Sequence, residues 1–272
     1  MANYSARDRQ RWLQASPTHN KIFQWIMEYG TMCQDFLKEI IPERDFSHLE
    51  IISEKSLKNV NHKEIRLDIL ATDKQGNKYN IEMQVADEHN VVERLLYYQS
   101  LLVAGGDKYQ DIRQSYVIFL CLFSPLKDVQ RPDRVISHLE RRVTEELEYS
   151  LKDRTHTILL NLDGDLRTVN PNLRGFIQAL KQQPQTNTSD LGNQLIQAFK
   201  DIKADQGKER SYMMLTKAEQ DEIRMKERLE SAKRYIPRLR IEERWDAAME
   251  EFDYDADKAK AKAFLEENNI EY

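Results

Sequence analysis

The chain has 272 residues and a formal net charge of −5. That length holds one large domain, or one domain with an appendage, and buries a core without covalent staples. The acidic balance excludes a surface coated in basic charge for tight non-specific DNA binding, and two cysteines exclude a disulfide framework.

The basic N-terminus, with Arg7, Arg9 and Arg11, is followed by no apolar stretch and does not read as a signal peptide. The longest strongly apolar run, Tyr116 to Phe123, is far shorter than the roughly 20 residues a membrane helix needs. A reducing cytoplasm and no membrane partner are therefore expected. Residues 20 to 41 carry apolar groups at helical spacing, from Ile22 and Phe23 to Ile40 and Ile41. Gly30 should split them into two helices, and Pro42 should end the second. His48 to Ser53 reads as a strand. Residues 64–72 and 78–85 alternate strictly, which predicts two half-buried antiparallel strands. Val91 to Val103 reads as a helix with Val92, Leu95, Leu96 and Leu102 on its apolar stripe.

Ser115 to Phe123 and Thr157 to Leu162 are short continuous apolar runs, suited to strands covered on both faces. Between them, Pro132 to Leu151 reads as partly helical, with a strand as the alternative. Asn170-Pro171 supplies an N-cap and a proline at the first helical position. Helical spacing follows through Leu173, Phe176, Ile177 and Leu180, and again from Leu191 to Ile202. The polar stretch Lys203 to Arg210 marks a boundary between residues 1–210 and a helical C-terminal region, 211–272. There Thr216-x-x-Glu219 forms a capping box. Glu222 to Arg244 holds eight Lys or Arg and five Glu, and Glu250 to Asp257 holds five acidic residues. That region is a candidate for self-association, as a homo-oligomer, or for control.

The two alternating strands carry the most information. Lys74-Gln75-Gly76 fits a three-residue hairpin loop with Gly76 in the left-handed position. Pairing then sets Thr72 opposite Lys78, Asp68 opposite Glu82 and Arg66 opposite Gln84. The two carboxylates share the polar face with Cβ atoms about 4.5–5.5 Å apart. Like charges there repel, and a cation between them removes the conflict. Half-exposed hairpins also carry Asp and Glu on their solvent face without any such role.

Arg66-Leu67-Asp68-Ile69-Leu70, the Lys74-to-Asn77 turn, Ile81-Glu82-Met83-Gln84 and Arg94-x-x-x-Tyr98 together resemble the PD-(D/E)XK nuclease superfamily. The likeness is greatest to the bacterial recombination-promoting nuclease and putative transposase family, and it covers roughly residues 17 to 125. It implies an α/β fold: a restriction-endonuclease-like mixed sheet flanked by helices. It also implies Mg²⁺-dependent endonuclease activity on DNA, with Mn²⁺ as a substitute ion. On that resemblance Asp68 and Glu82 are metal ligands, the Met83 carbonyl is a third, and Gln84 is catalytic. Arg94 and Tyr98 would contact DNA.

Gln84 stands where most of the superfamily has Lys, so it can hydrogen-bond water or phosphate but adds no charge. In the first helix Asn20 holds a place that is usually acidic, and Glu28 is a substitute on the same helix. No zinc helix, Cys-x-x-Cys, Gly-rich phosphate loop or Gly-x-Ser-x-Gly elbow occurs. The alternative is a catalytically silent nuclease fold that binds DNA or a protein.

Overall fold

The computed structural model describes residues 6–58, 64–103, 109–184, 189–214, 232–233, 236–239, 241–251 and 258–271. Thr216 and Glu219, most of the basic run from Glu222 and most of the acidic run from Glu250 lie outside the described residues, as does the Ile65 side chain.

Alternating sequence folds to strands because a period of two puts every second side chain on one face. A six-stranded sheet runs in the order β1-β2-β3-β4-β6-β5. The strands are β1 (Leu49–Lys58), β2 (Glu64–Asp73), β3 (Lys78–Gln84), β4 (Ser115–Cys121), β5 (Ile136–Leu139) and β6 (Thr155–Asn161). β1, β2 and β3 pair antiparallel, β3, β4 and β6 pair parallel, and β5 closes one edge antiparallel to β6. No helix forms within 132–151. β5 and a bridge between Arg142 and Ser150 occupy that stretch, because its apolar residues find an open edge on β6.

In chain order the helices up to residue 204 are α1 (Ala6–Gln14), α2 (Asn20–Met27), α3 (Met32–Ile40), α4 (Val91–Val103), α5 (Pro171–Leu180) and α6 (Asp190–Ala204). Gly30, with φ +55, separates α2 from α3. Asn170 caps α5, its Oδ1 accepting from Leu173 N at 2.9 Å.

α4 buries Val91, Leu95, Tyr98 and Leu102 against Leu70, Val117, Phe119, Cys121 and Leu159 of the sheet. Of the expected stripe, Leu95 and Leu102 are buried and the other two residues are not. Val92 and Leu96 face solvent at 57% and 69% exposure, because the sheet meets the 91/95/98/102 face instead. β3 also departs from expectation. It is not half-buried: α4 lies over its polar side, so Asn80, Glu82 and Gln84 are as buried as Ile81. β4 is buried throughout. Cys33 and Cys121 are buried, and burial pushes both thiols up to about 12, so they remain protonated core groups.

Residues 13–206 form one compact unit, while 1–12 and 207–272 form a second. Within the second unit Trp12 packs on Tyr212, with ring centroids 5.3 Å apart. There α8 (Ile241–Glu251) and α9 (Lys258–Glu267) follow the helical residues 206–214, here α7. Ala248, Met249, Ala261, Phe264, Leu265 and Ile270 make an apolar cluster of their own.

One turn of the sheet has no room for a side chain. A Cβ on Gly164 would lie 2.6 Å from the Asp133 carbonyl oxygen and 3.1 Å from that of Asn161. Both are backbone atoms that cannot rotate away. Gly164→Ala is therefore expected to cost about 1–3 kcal/mol, read from urea denaturation midpoints. An unchanged midpoint would show that the turn relaxes freely.

Candidate active site

The hairpin turn sets the register around the carboxylates. Gly76 takes φ +79, a region glycine enters without strain, and its N–H donates to the Asp73 carbonyl at 2.9 Å. The buried Asp73 carboxylate accepts from Gln75 N, Asn77 N, Asn77 Nδ2 and Tyr79 OH, all at 2.9–3.0 Å. The pairs Thr72–Lys78, Ala71–Tyr79, Leu70–Asn80 and Ile69–Ile81 follow from that turn.

Beyond Ile69 and Ile81 the two strands part. β2 stays with β1, so Arg66 pairs with Ser56 and not with Gln84 as the extended register predicts. β3 stays with β4 along its whole length. Each strand follows the neighbour that offers it a full ladder. Side chains fill the fork. Asp68 N–H donates to Glu82 Oε1 at 3.1 Å, and Met83 N–H donates to Asp68 Oδ2 at 3.0 Å. The two carboxylates are thus held across the fork by crossed backbone bonds. Leu67, Ile69, Ile81 and Met83 are buried around them.

Asp68 and Glu82 are 9% and 2% exposed. Burial first, then the Asp68 charge, drives the Glu82 carboxyl well above its ordinary range. Burial also raises Asp68, opposed by Met83 N–H, a Gln24 hydrogen bond and the Arg94 charge. Two adjacent carboxylates that resist ionisation are what burial produces when the nearby positive charge, here Arg94, offsets it only in part.

α4 brings Arg94 and Tyr98 over the same fork. Arg94 Nη2 donates to Tyr98 OH at 3.2 Å, and its guanidinium sits 5.7 Å from the Tyr98 ring and 5.9 Å from the Phe119 ring. Burial, then the Glu82 charge, pushes the Tyr98 phenol up to about 12, so it keeps its proton at neutral pH. Gln84 is buried at the end of β3 with its Nε2 unbonded.

The first helix corrects the sequence reading. Asn20 and Glu28 are both exposed, because they stand at the two ends of α2, Asn20 as its first residue and Glu28 as its C-cap, while Ile22 to Met27 between them are buried. Gln24, between Phe23 and Trp25, is the α2 residue that reaches Asp68. It is 4% exposed and its Oε1 has no hydrogen-bond partner. The one legible signal was a polar residue inside an apolar run.

Among the described residues no cluster of three or more His, Cys, Asp or Glu is arranged to hold a metal. The carboxylate pair nevertheless fits a hard divalent cation. Such an ion takes oxygen ligands, and Gln24, whose amide oxygen has no partner, hydrogen-bonds Asp68 of a carboxylate pair that the Arg94 charge only partly offsets. Among the described residues no helix is long and apolar enough to cross a membrane.

A family model described as PD-(D/E)XK nuclease family transposase matches residues 28–232. No curated protein and no solved structure matches the chain significantly. The match includes β2, β3, α4 and β4, and begins after Lys21 and Gln24. With most of its length inside that match and its sheet of the mixed α/β restriction-endonuclease-like kind, the chain belongs to the PD-(D/E)XK nuclease family transposases.

Proposed function

We propose that the protein is an endonuclease that hydrolyses DNA phosphodiesters with a divalent cation, Mg²⁺ or Mn²⁺, held by Asp68 and Glu82. The observation that carries this reading is the buried carboxylate pair, crossed at the strand fork and raised by burial despite the Arg94 charge. Family membership supports it. A bound cation would offset charge on the phosphate and make a water easier to deprotonate.

The protein's own groups do the rest. Asp68 and Glu82 hold the ion, with the Met83 carbonyl assigned as a third ligand from the resemblance. Tyr98 accepts from Arg94 and keeps its own proton to donate, so the pair can bind a phosphate oxygen. The unbonded Gln84 Nε2 is a donor for the attacking water or the phosphate. The helices after residue 210 are assigned to self-association or control, a reading their separate apolar cluster supports.

Supercoiled plasmid incubated with purified protein should be nicked or linearised in Mg²⁺ and left intact in EDTA. Equal cleavage in both would overturn the reading. Gln84→Lys adds a cation beside the carboxylates and should retain or raise the rate. Gln84→Ala should lower it roughly 100- to 1,000-fold, as the loss of one positioned donor to a reacting group does. Single-turnover cleavage of a labelled duplex measures both.

A further inference from the structure

Glu54 is a strained residue at a telling place. Among the described non-glycine residues with positive φ, it alone stands inside a strand, at φ +54, while the others lie in loops or at helix ends. The ladder between β1 and β2 runs through Ser53–Ile69 and resumes at Lys55–Leu67, which sets Glu54 across from Asp68. The pair missing from the ladder is therefore the one at the candidate catalytic aspartate. Backbone strain of this kind persists only where its surroundings enforce it.

The Glu54 side chain shows what it is held for. Its Oε1 takes Lys21 Nζ at 2.9 Å and Arg66 Nη2 at 2.5 Å. Lys21 lies one helical turn before Gln24, the residue that touches Asp68. Arg66 lies two residues before Asp68 on the same strand face. Lys21, Gln24, Glu54, Arg66 and Asp68 thus form one contiguous patch of α2, β1 and β2. One carboxylate between two cations leaves the trio with a net positive charge, and the side chains of Arg66 and Lys21 are 55% and 15% exposed. Gln84 leaves the site without the cation its strand position would otherwise supply.

Resting on the endonuclease reading, we propose that Lys21 and Arg66 form a DNA-backbone clamp beside the carboxylate pair, and that Glu54 is the positioning residue that holds both cations there. The clamp takes phosphodiester oxygens next to the cleaved bond and supplies the positive charge that Gln84 does not. Each phosphate contact of this kind releases condensed counterions, so it leaves a signature in the salt dependence of binding.

The test is fluorescence anisotropy of a short labelled DNA duplex, measured in EDTA across a salt series. EDTA makes the result independent of metal binding and of cleavage. For Lys21→Met/Arg66→Met the slope of log affinity against log salt should shrink by about 2, with at least a 10-fold loss of affinity at low salt. Lys21→Arg/Arg66→Lys keeps both charges and should keep the slope, which separates the clamp from a folding defect. Glu54→Gln should bind DNA as tightly as wild type or tighter, yet cleave it about 10-fold more slowly, because the cations remain but are no longer placed. A wild-type slope in the folded Lys21→Met/Arg66→Met protein overturns the clamp, and an unchanged cleavage rate in Glu54→Gln overturns the positioning role. Failure of wild type to cleave in Mg²⁺ sinks the endonuclease reading alone, since the salt series still decides on the clamp. Absence of DNA binding by wild type overturns both.

Discussion

Asp68→Asn and Glu82→Gln are each expected to lower Mg²⁺-dependent DNA cleavage by about 10³-fold or more while the fold survives. Each change leaves a single carboxylate to hold the ion, so the charge set against the phosphate falls at the moment it is needed. The isosteric amides are the informative variants. An Asn oxygen can still accept from Met83 N–H, and a Gln oxygen from Asp68 N–H, which are the bonds that close the fork. Alanine would instead leave those buried N–H groups unpaired, at a cost of about 1–3 kcal/mol each. Without metal the amide variants should melt no lower than wild type, because each removes one of two buried carboxylates that disfavour each other's charge. Calorimetric titration with Mn²⁺ should show binding by wild type and little by either variant. Cleavage by Asp68→Asn at the wild-type rate would place the activity elsewhere.

Asp73→Ala is expected to be the most damaging single change near the site, at about 3–4 kcal/mol. Its carboxylate satisfies two backbone N–H groups, one side-chain amide and the Tyr79 hydroxyl in a nearly dry turn. Removing it strands several donors at once, and hydrogen bonds to a charged group are worth about 1.5–3 kcal/mol each before non-additivity. The melting temperature should fall by roughly 10 °C. Asp73→Asn keeps one acceptor oxygen and should cost about half as much. Cleavage should fall further than stability alone accounts for. The turn fixes which residues of β2 and β3 meet, and a slip of one residue would turn Glu82 to the opposite face. An Asp73→Ala protein that melts with wild type would show that Gly76 and the ladder alone hold the register.

Much of the frame was legible in the sequence because it is local. Strict alternation marked β2 and β3, and Lys74-Gln75-Gly76 fixed their pairing from Thr72–Lys78 to Ile69–Ile81. Asn170-Pro171 marked the start of α5 by a capping bond that depends on neighbours only. The motif around Asp68 and Glu82 pointed to the family that the match over residues 28–232 shows.

What the sequence could not decide depends on which surfaces meet. Periodicity says that Asn80, Glu82 and Gln84 share a face, but not that α4 covers it and raises both carboxylates by desolvation. Pairing rules carry a hairpin register onward indefinitely, whereas β1 and β4 compete for the same two strands and pull them apart at Ile69 and Ile81. Gln24 and Glu54 come to Asp68 from other elements, across 44 and 14 positions of chain. A helix or strand pattern fixes the direction of a side chain relative to its own axis. Only the packing of whole elements, driven by the apolar area they bury together, decides what that side chain faces.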